Sequence, residues 1–213
     1  MTKRKMSFVD AMRAATLDMH SSHMLHAKKS QQQQPTRLQF ARYLVHQRNV
    51  FRALQTFPVR TPKRNFVEDI NRDLWALNLH AEPGAYPELA TGGTYSTYIR
   101  YLATLDAARL GCHWYNATFA HVAGGGLTVA RAAEESLPPG FFYTSAFYAP
   151  MPRDAVDDTR AMFEAEAQSW AADQRTACLA ETPEAFRHLS QISAILGAPQ
   201  ADGGGKSNIT IDM

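Results

Sequence analysis

The sequence predicts an all-α fold in a single domain, and three observations carry that reading. Apolar residues recur at three- and four-residue spacing along most of the chain, the period of a helix that buries one face. Proline and glycine gather in a few clusters that punctuate those stretches. No segment alternates apolar and polar residues as a half-buried strand does. At 213 residues, 45% apolar and 20% charged, the chain is long enough for one sizeable core.

The elements follow in order. Residues 1–6 read as a basic, flexible N-terminus. Phe8, Met12, Ala15 and Met19 form an apolar stripe, which predicts a first helix over 7–29. Gln31 to Gln34 and Pro35 make a low-complexity break. A second helix over 36–56 carries Leu38, Ala41, Tyr43, Leu44, Phe51 and Leu54, and Pro58 and Pro62 end it. A third covers 65–79. Pro83, Gly84, Pro87, Gly92 and Gly93 make 81–93 a loop. A fourth helix over 94–107 buries Tyr98, Tyr101, Leu102 and Leu105, and a fifth covers 109–135. Pro138, Pro139 and Gly140 break the chain, and Pro150 and Pro152 precede a long helix over 153–180. Thr182-Pro183 reads as the start of a last helix, a cap followed by proline in the first turn. Gly197, with Pro199 beyond it, closes that helix. The domain is therefore assigned to 7–197, and 198–213 to a flexible tail.

Charge is unevenly spread. Residues 1–64 hold 13 Lys and Arg against Asp10 and Asp18, a net of +11, and the remainder holds 9 against 18 Asp and Glu, a net of −9. Such asymmetry suits an acidic partner or ligand, or a balance of the two parts across one folded surface. Nucleic acid is not indicated, because the cations are scattered and no recognition motif accompanies them. No apolar run approaches the ~20 residues of a membrane span. Met1 to Ser7 lacks the apolar core of a secretory signal and is too short for a transit peptide. Two cysteines, Cys112 and Cys178, make no disulfide framework and suit a reducing compartment, with Cys178 read as a buried thiol.

The stretch from Cys112 to Gly126 is the most informative. It carries His113, Trp114, Tyr115, Phe119 and His121 at helical spacing, then Gly124-Gly125-Gly126. Each helical glycine costs about 1 kcal/mol relative to alanine, so three together imply a need for bare backbone. Glycine lets a helix bend or approach a surface closely. A large flat ligand such as haem would demand that, and His20 could supply its other face. Tight helix–helix packing is the alternative for the glycines. His113 reads as a packing and hydrogen-bonding residue, Tyr115 as either core or ligand contact, and Tyr98, Tyr101 and Trp170 as core.

These residues resemble the haem oxygenases of the plant and algal plastid type. The resemblance rests on Thr94-Tyr95-Ser96-Thr97-Tyr98 with Tyr101-Leu102, and on Cys112-His113-Trp114-Tyr115-Asn116 with Phe119-Ala120-His121-Val122-Ala123-Gly124-Gly125. Trp170, Cys178-Leu179-Ala180-Glu181-Thr182 and Phe186 add a third block. Phe8-Val9 and Met12-Arg13-Ala14 lead to His20 in the family's spacing. The resemblance spans 7–197 and implies a haem sandwiched between a proximal helix and a kinked distal one. His20 would ligate the iron, and Ala120, Gly124 and Gly125 would lie against the ring. His121 would order distal water. Arg13, Tyr115 and Arg153 would hold the propionates. Haem would be both cofactor and substrate, opened with O2 to biliverdin, carbon monoxide and ferrous iron. Reduced ferredoxin would supply electrons, in the chloroplast stroma, for bilin synthesis, and the protein would be a monomer.

The chain departs from the pattern at three places. Met24 stands where many relatives have a Glu or Gln one turn after the iron ligand, Ala149 replaces a propionate-binding Lys, and Gly126 replaces an Arg. These departures leave open a non-catalytic relative that keeps the fold and acts as a haem-binding or assembly protein. A related helical fold of the thiaminase-like group is a third reading, but its catalytic Cys and carboxylates have no counterpart here.

Overall fold

The computed structural model describes residues 6–16, 34–62, 64–77, 94–122 and 133–197. These residues form eight α-helices and no strand. The helices are α1 (Phe8–Ala15), α2 (Arg37–Leu54), α3 (Phe66–Ala76), α4 (Thr94–Leu102), α5 (Ala107–Val122), α6 (Phe141–Thr144), α7 (Arg153–Ser169) and α8 (Ala172–Ser193). Short 3-10 turns cover Glu134–Ser136 and Ala194–Gly197. The all-α expectation holds. No described helix is long and apolar enough to cross a membrane.

Local chemistry sets the helix starts. The Ser7 hydroxyl accepts from the Asp10 amide at 3.1 Å and begins α1. Thr36 and Gln39 form a reciprocal capping box at the head of α2, with side chain to amide in both directions. Asn65 accepts from the Glu68 amide to start α3, and Glu68 and Asp69 in its first turn suit the positive helix end. Asp106 accepts from the Arg109 amide at 2.9 Å, so α5 begins at Ala107. That carboxylate also explains why α4 stops at Leu102 rather than near 107: residues 103–105 turn to deliver it.

The core gathers around α5, whose residues 110–115 are all buried. Phe57, Trp114, Phe163 and Trp170 pack as one aromatic block, with Trp114 stacked on Phe163 at 5.9 Å. Gly111 lets that block close. A Cβ there would stand 2.8 Å from both the Phe57 and Trp170 rings.

The C-terminal half corrects the sequence reading. The break falls at Trp170-Ala171, not at Thr182-Pro183, and α8 runs through Pro183. Trp170 leaves helical geometry to bury its ring, and its indole N–H donates to Glu166. Gln174 then accepts from the Ala171 amide and starts α8. Proline inside a helix frees the carbonyl four residues back, here Leu179. The Thr182 hydroxyl instead bonds the Cys178 carbonyl, two buried groups satisfied within one turn. The cysteines also differ from expectation. Both are fully buried, but their sulfurs are paired as a disulfide between α5 and α8.

Gly111→Ala should lower stability by about 1–3 kcal/mol, because a methyl group overpacks two rings that are themselves locked in the core. Thermal melting of the purified variant checks this, and an unchanged melting temperature would mean the rings move apart freely.

Candidate functional site

Two faces of α5 carry the site-forming groups. On one, Tyr115 is buried, with its ring 4.4 Å from Phe119 and 4.9 Å from Phe163 of α7. Burial raises the phenol's pKa, and the charges of Arg13 and Arg160 oppose that rise. Asp10 and Glu164 act in the raising direction. Tyr115 is therefore a neutral phenol that feels a cation and a carboxylate from each of two other helices, Arg13 and Asp10 of α1 and Arg160 and Glu164 of α7. Arg160 also lies over the Phe119 ring at 5.9 Å, and its Nε is buried with no partner among the described residues.

Helix docking builds this cluster. Glu164 of α7 accepts from the Phe8 and Val9 amides at 2.9 and 3.0 Å. A carboxylate on the unpaired amides at a helix start is a charge-assisted contact. It pins α1 to α7 and so brings Arg13, near the end of α1, toward Tyr115.

At the far end of α5, His121 sits half-buried in a cage of Phe147 (4.4 Å), Phe51 (5.6 Å) and Phe66 (6.4 Å). Its Nδ1 is buried and has no partner among the described residues. Desolvation, reinforced by the Arg64 charge, pushes its pKa down to about 3, so the ring is neutral. The loop carrying Phe147 is held from two sides. Arg64 donates to the carbonyls of Ala146, Phe147 and Ala149 while paired with Asp69 at 2.8 Å. Asp73 is buried and accepts from the amides of Ala146 and Phe147 and from the Ser145 hydroxyl.

A third cluster faces α4 and α8. The Tyr98 hydroxyl donates to His113 Nδ1 at 2.9 Å, and His113 Nε2 donates to Glu181 at 3.0 Å. Tyr101 donates to the same Glu181 oxygen at 2.6 Å. This assignment fixes His113 as the neutral tautomer protonated on Nε2, and burial lowers its pKa in the same sense. His188 stacks on Tyr98 at 4.2 Å and bonds Glu184. His113 is thus the hydrogen-bonding core residue its sequence context implied.

Of the residues named from sequence, Arg13 is exposed near the end of α1 and its charge acts on the buried Tyr115, and His121 lies at the end of the same helix as Tyr115. Ala120 is exposed beside it. Arg153 is exposed at the first position of α7, seven residues or about 10 Å before Arg160. His20, Gly124 and Gly125 lie outside the described residues. Arg160, Arg64 and Asp73 were not singled out by sequence. Arg160 is half-buried beside the inward stripe of α7, which is Ala155, Thr159, Phe163 and Ala167, and it pairs with Asp157 at 3.3 Å.

The depressed His121 pKa has a sign that can be checked. The unfolded chain takes the proton first, near pH ~6.5. This contribution to stability is therefore complete above about pH 6.5 and is withdrawn as pH falls toward about 3. The slope approaches ~1.4 kcal/mol per pH unit for one group. His121→Phe fills the cage without titrating, so its melting temperature should fall less steeply below about pH 6.5 than that of the unaltered protein. Parallel curves would clear His121 as a source of acid sensitivity.

No family model matches the chain. Curated relatives do. It is 27% identical over 201 residues to heme oxygenase 1, chloroplastic, of Oryza sativa subsp. japonica, covering 87% of this chain and 69% of that protein. It is 26% identical over 213 residues to heme oxygenase 1, chloroplastic, of Arabidopsis thaliana, covering 89% and 73%. A probable inactive heme oxygenase 2, chloroplastic, of Oryza sativa subsp. japonica matches at 30% over 116 residues, 53% of this chain and 34% of that protein. The chain is therefore similar at low identity, over most of its length, to plant chloroplastic haem oxygenases, and its all-α fold is consistent with that likeness.

Proposed function

We propose that this chain is a haem oxygenase that binds haem beside α5 and opens it with O2 to biliverdin, carbon monoxide and ferrous iron. One observation carries the reading: Tyr115 is a buried, neutral phenol on α5 that feels the charges of Arg13 from α1 and Arg160 from α7. Two guanidinium groups and a neutral phenol match the two carboxylates of haem. Haem, when bound, supplies the redox chemistry and is itself the substrate.

The protein's own part is binding, orientation and exclusion of water. Arg13 and Arg160 hold the carboxylates, and Tyr115 donates to one of them. Arg153, at the mouth of the same helix, steers the acid groups inward. His20 is the proposed iron ligand. Ala120, Gly124 and Gly125 are the proposed bare surface against the ring. His121, neutral and caged by phenylalanines, offers a ring nitrogen that relays a proton without fixing a charge beside the substrate. The excess of cations over residues 1–64 supports an acidic electron donor, ferredoxin, steered by charge. The relatives' chloroplastic names support a plastid, stromal location and a role in bilin synthesis. A monomer accounts for this arrangement.

A second reading is a non-catalytic haem-binding relative. Chains named probable inactive match this one about as well as those named as enzymes. Met24 stands where a carboxylate or amide would orient the proximal histidine, which a ligand of high basicity ordinarily needs.

The test is ferric haem titration followed by ferredoxin, its reductase, NADPH and air. Loss of the Soret band with growth of biliverdin and carbon monoxide establishes the oxygenase. A stable Soret band with both ferredoxin and ascorbate favours the non-catalytic reading. His20→Ala should shift the ferric spectrum. Arg160→Ala should weaken haem binding on the order of tenfold, the loss of one charged hydrogen bond, with Arg160→Lys in between. Haem affinity unchanged in Arg160→Ala would remove that residue from the site.

A further inference from the structure

We propose that Cys112 and Cys178 form a reversible dithiol–disulfide pair that staples α5 to α8 and makes stability respond to a disulfide oxidant. The proposal stands apart from the haem reading.

The backbone geometry fits both oxidation states. The two Cα atoms are 5.7 Å apart, inside the span a disulfide bridges without backbone movement. Both residues are fully buried. In the dithiol state the Cys112 S–H has a ready acceptor, the Cys178 carbonyl 3.0 Å away. Oxidation removes that donor, and the carbonyl keeps its other partner, the Thr182 hydroxyl at 3.0 Å. The Cys178 carbonyl therefore keeps a hydrogen-bond partner in either state.

The position gives the bond leverage. It joins residues 66 apart in sequence, and a closed loop of that length strongly restricts the unfolded chain. It lies beside Gly111 and His113, where α5 is already fixed. Access comes through α8, where Pro183 cannot donate to the Leu179 carbonyl and one turn next to Cys178 is weakened. Local opening there exposes a thiol, whose thiolate attacks the reagent disulfide.

The reaction balances. A small disulfide RSSR accepts two electrons, the two cysteines lose two protons and form one S–S bond, and two RSH leave. A dithiol reverses it.

The full-length protein is incubated with oxidised glutathione or with dithiothreitol, desalted, denatured in guanidinium with a maleimide, and weighed by mass spectrometry. The expected result is no maleimide after oxidation and two after reduction. Maleimide on either cysteine after oxidation, or a lasting glutathione adduct, overturns the pair. Melting in the native state is the second readout. The oxidised protein should melt higher, on the order of 5–10 °C, and Cys178→Ser should show no oxidant-dependent shift. Equal melting temperatures for the oxidised and reduced natural sequence, or a serine variant that still shifts, overturns the staple. The measurement on the natural sequence needs no variant to fold.

Discussion

The close approach of α5 to the rest of the core is the constraint on which this molecule depends. It is set at Gly111, where any side chain would meet Phe57 and Trp170. Once that contact is made, the next two residues are committed. Cys112 must face Cys178, and His113 must face Tyr98 and Glu181. Three consecutive residues thus supply a steric contact, a sulfur pair and a polar chain, all pointing from α5 toward the aromatic block, α4 and α8. The rotation of α5 about its axis is fixed before any functional group is considered. Tyr115 and His121 are held where they are because residues 111–113 leave α5 no other orientation.

The rest of the site is built by docking onto that fixed helix. Arg13 and Arg160 are 147 positions apart in sequence. The charges of both act on the Tyr115 phenol because Glu164 caps α1 and because Phe163, one turn from Arg160 on α7, packs on the Tyr115 ring. The loop at 145–149 is fixed by a comparable device. Arg64 satisfies its carbonyls, and Asp73 satisfies its amides. That loop has neither helix nor strand to satisfy its backbone, and two buried, oppositely charged side chains do the equivalent work. The outcome is a rigid wall of phenylalanine around His121.

This division explains what could be read from the sequence. Helical period and the proline and glycine clusters located α1 to α5 and α7, because those signals are local, but not the one-turn α6 after Gly140. The break at Trp170 was not legible, since it is driven by burial of one indole against Phe163 and against Phe57, which is distant in sequence. Thr182-Pro183 looked like a helix start because cap and proline chemistry is ambiguous between a first turn and a tolerated interior proline. The Thr182 bond to Cys178 decides it. Arg13 and Tyr115 came from resemblance to a family pattern. Arg160 carried no such signal, because it lies beside the buried stripe of α7 and pairs locally with Asp157, and only tertiary packing brings its charge to bear on Tyr115. The cysteine pair was missed because composition speaks to compartment, while pairing is a matter of Cα separation.

His113 and His121 put the distinction between stability and function in one helix. Both are kept neutral by burial, and they stand eight residues apart. Both nitrogens of His113 are bonded, and its ring ties three helices together. That is how a buried polar group is accommodated in a stable core. His121 sits among three phenylalanines with a buried nitrogen that no described residue satisfies. An unmet hydrogen bond of that kind costs about 1–3 kcal/mol. Packing alone would favour another phenylalanine there, since the cage is already aromatic and the ring never carries charge near neutrality. The proposed proton-relay role of His121 accounts for a histidine there, at the point where the sequence runs on toward its three consecutive glycines.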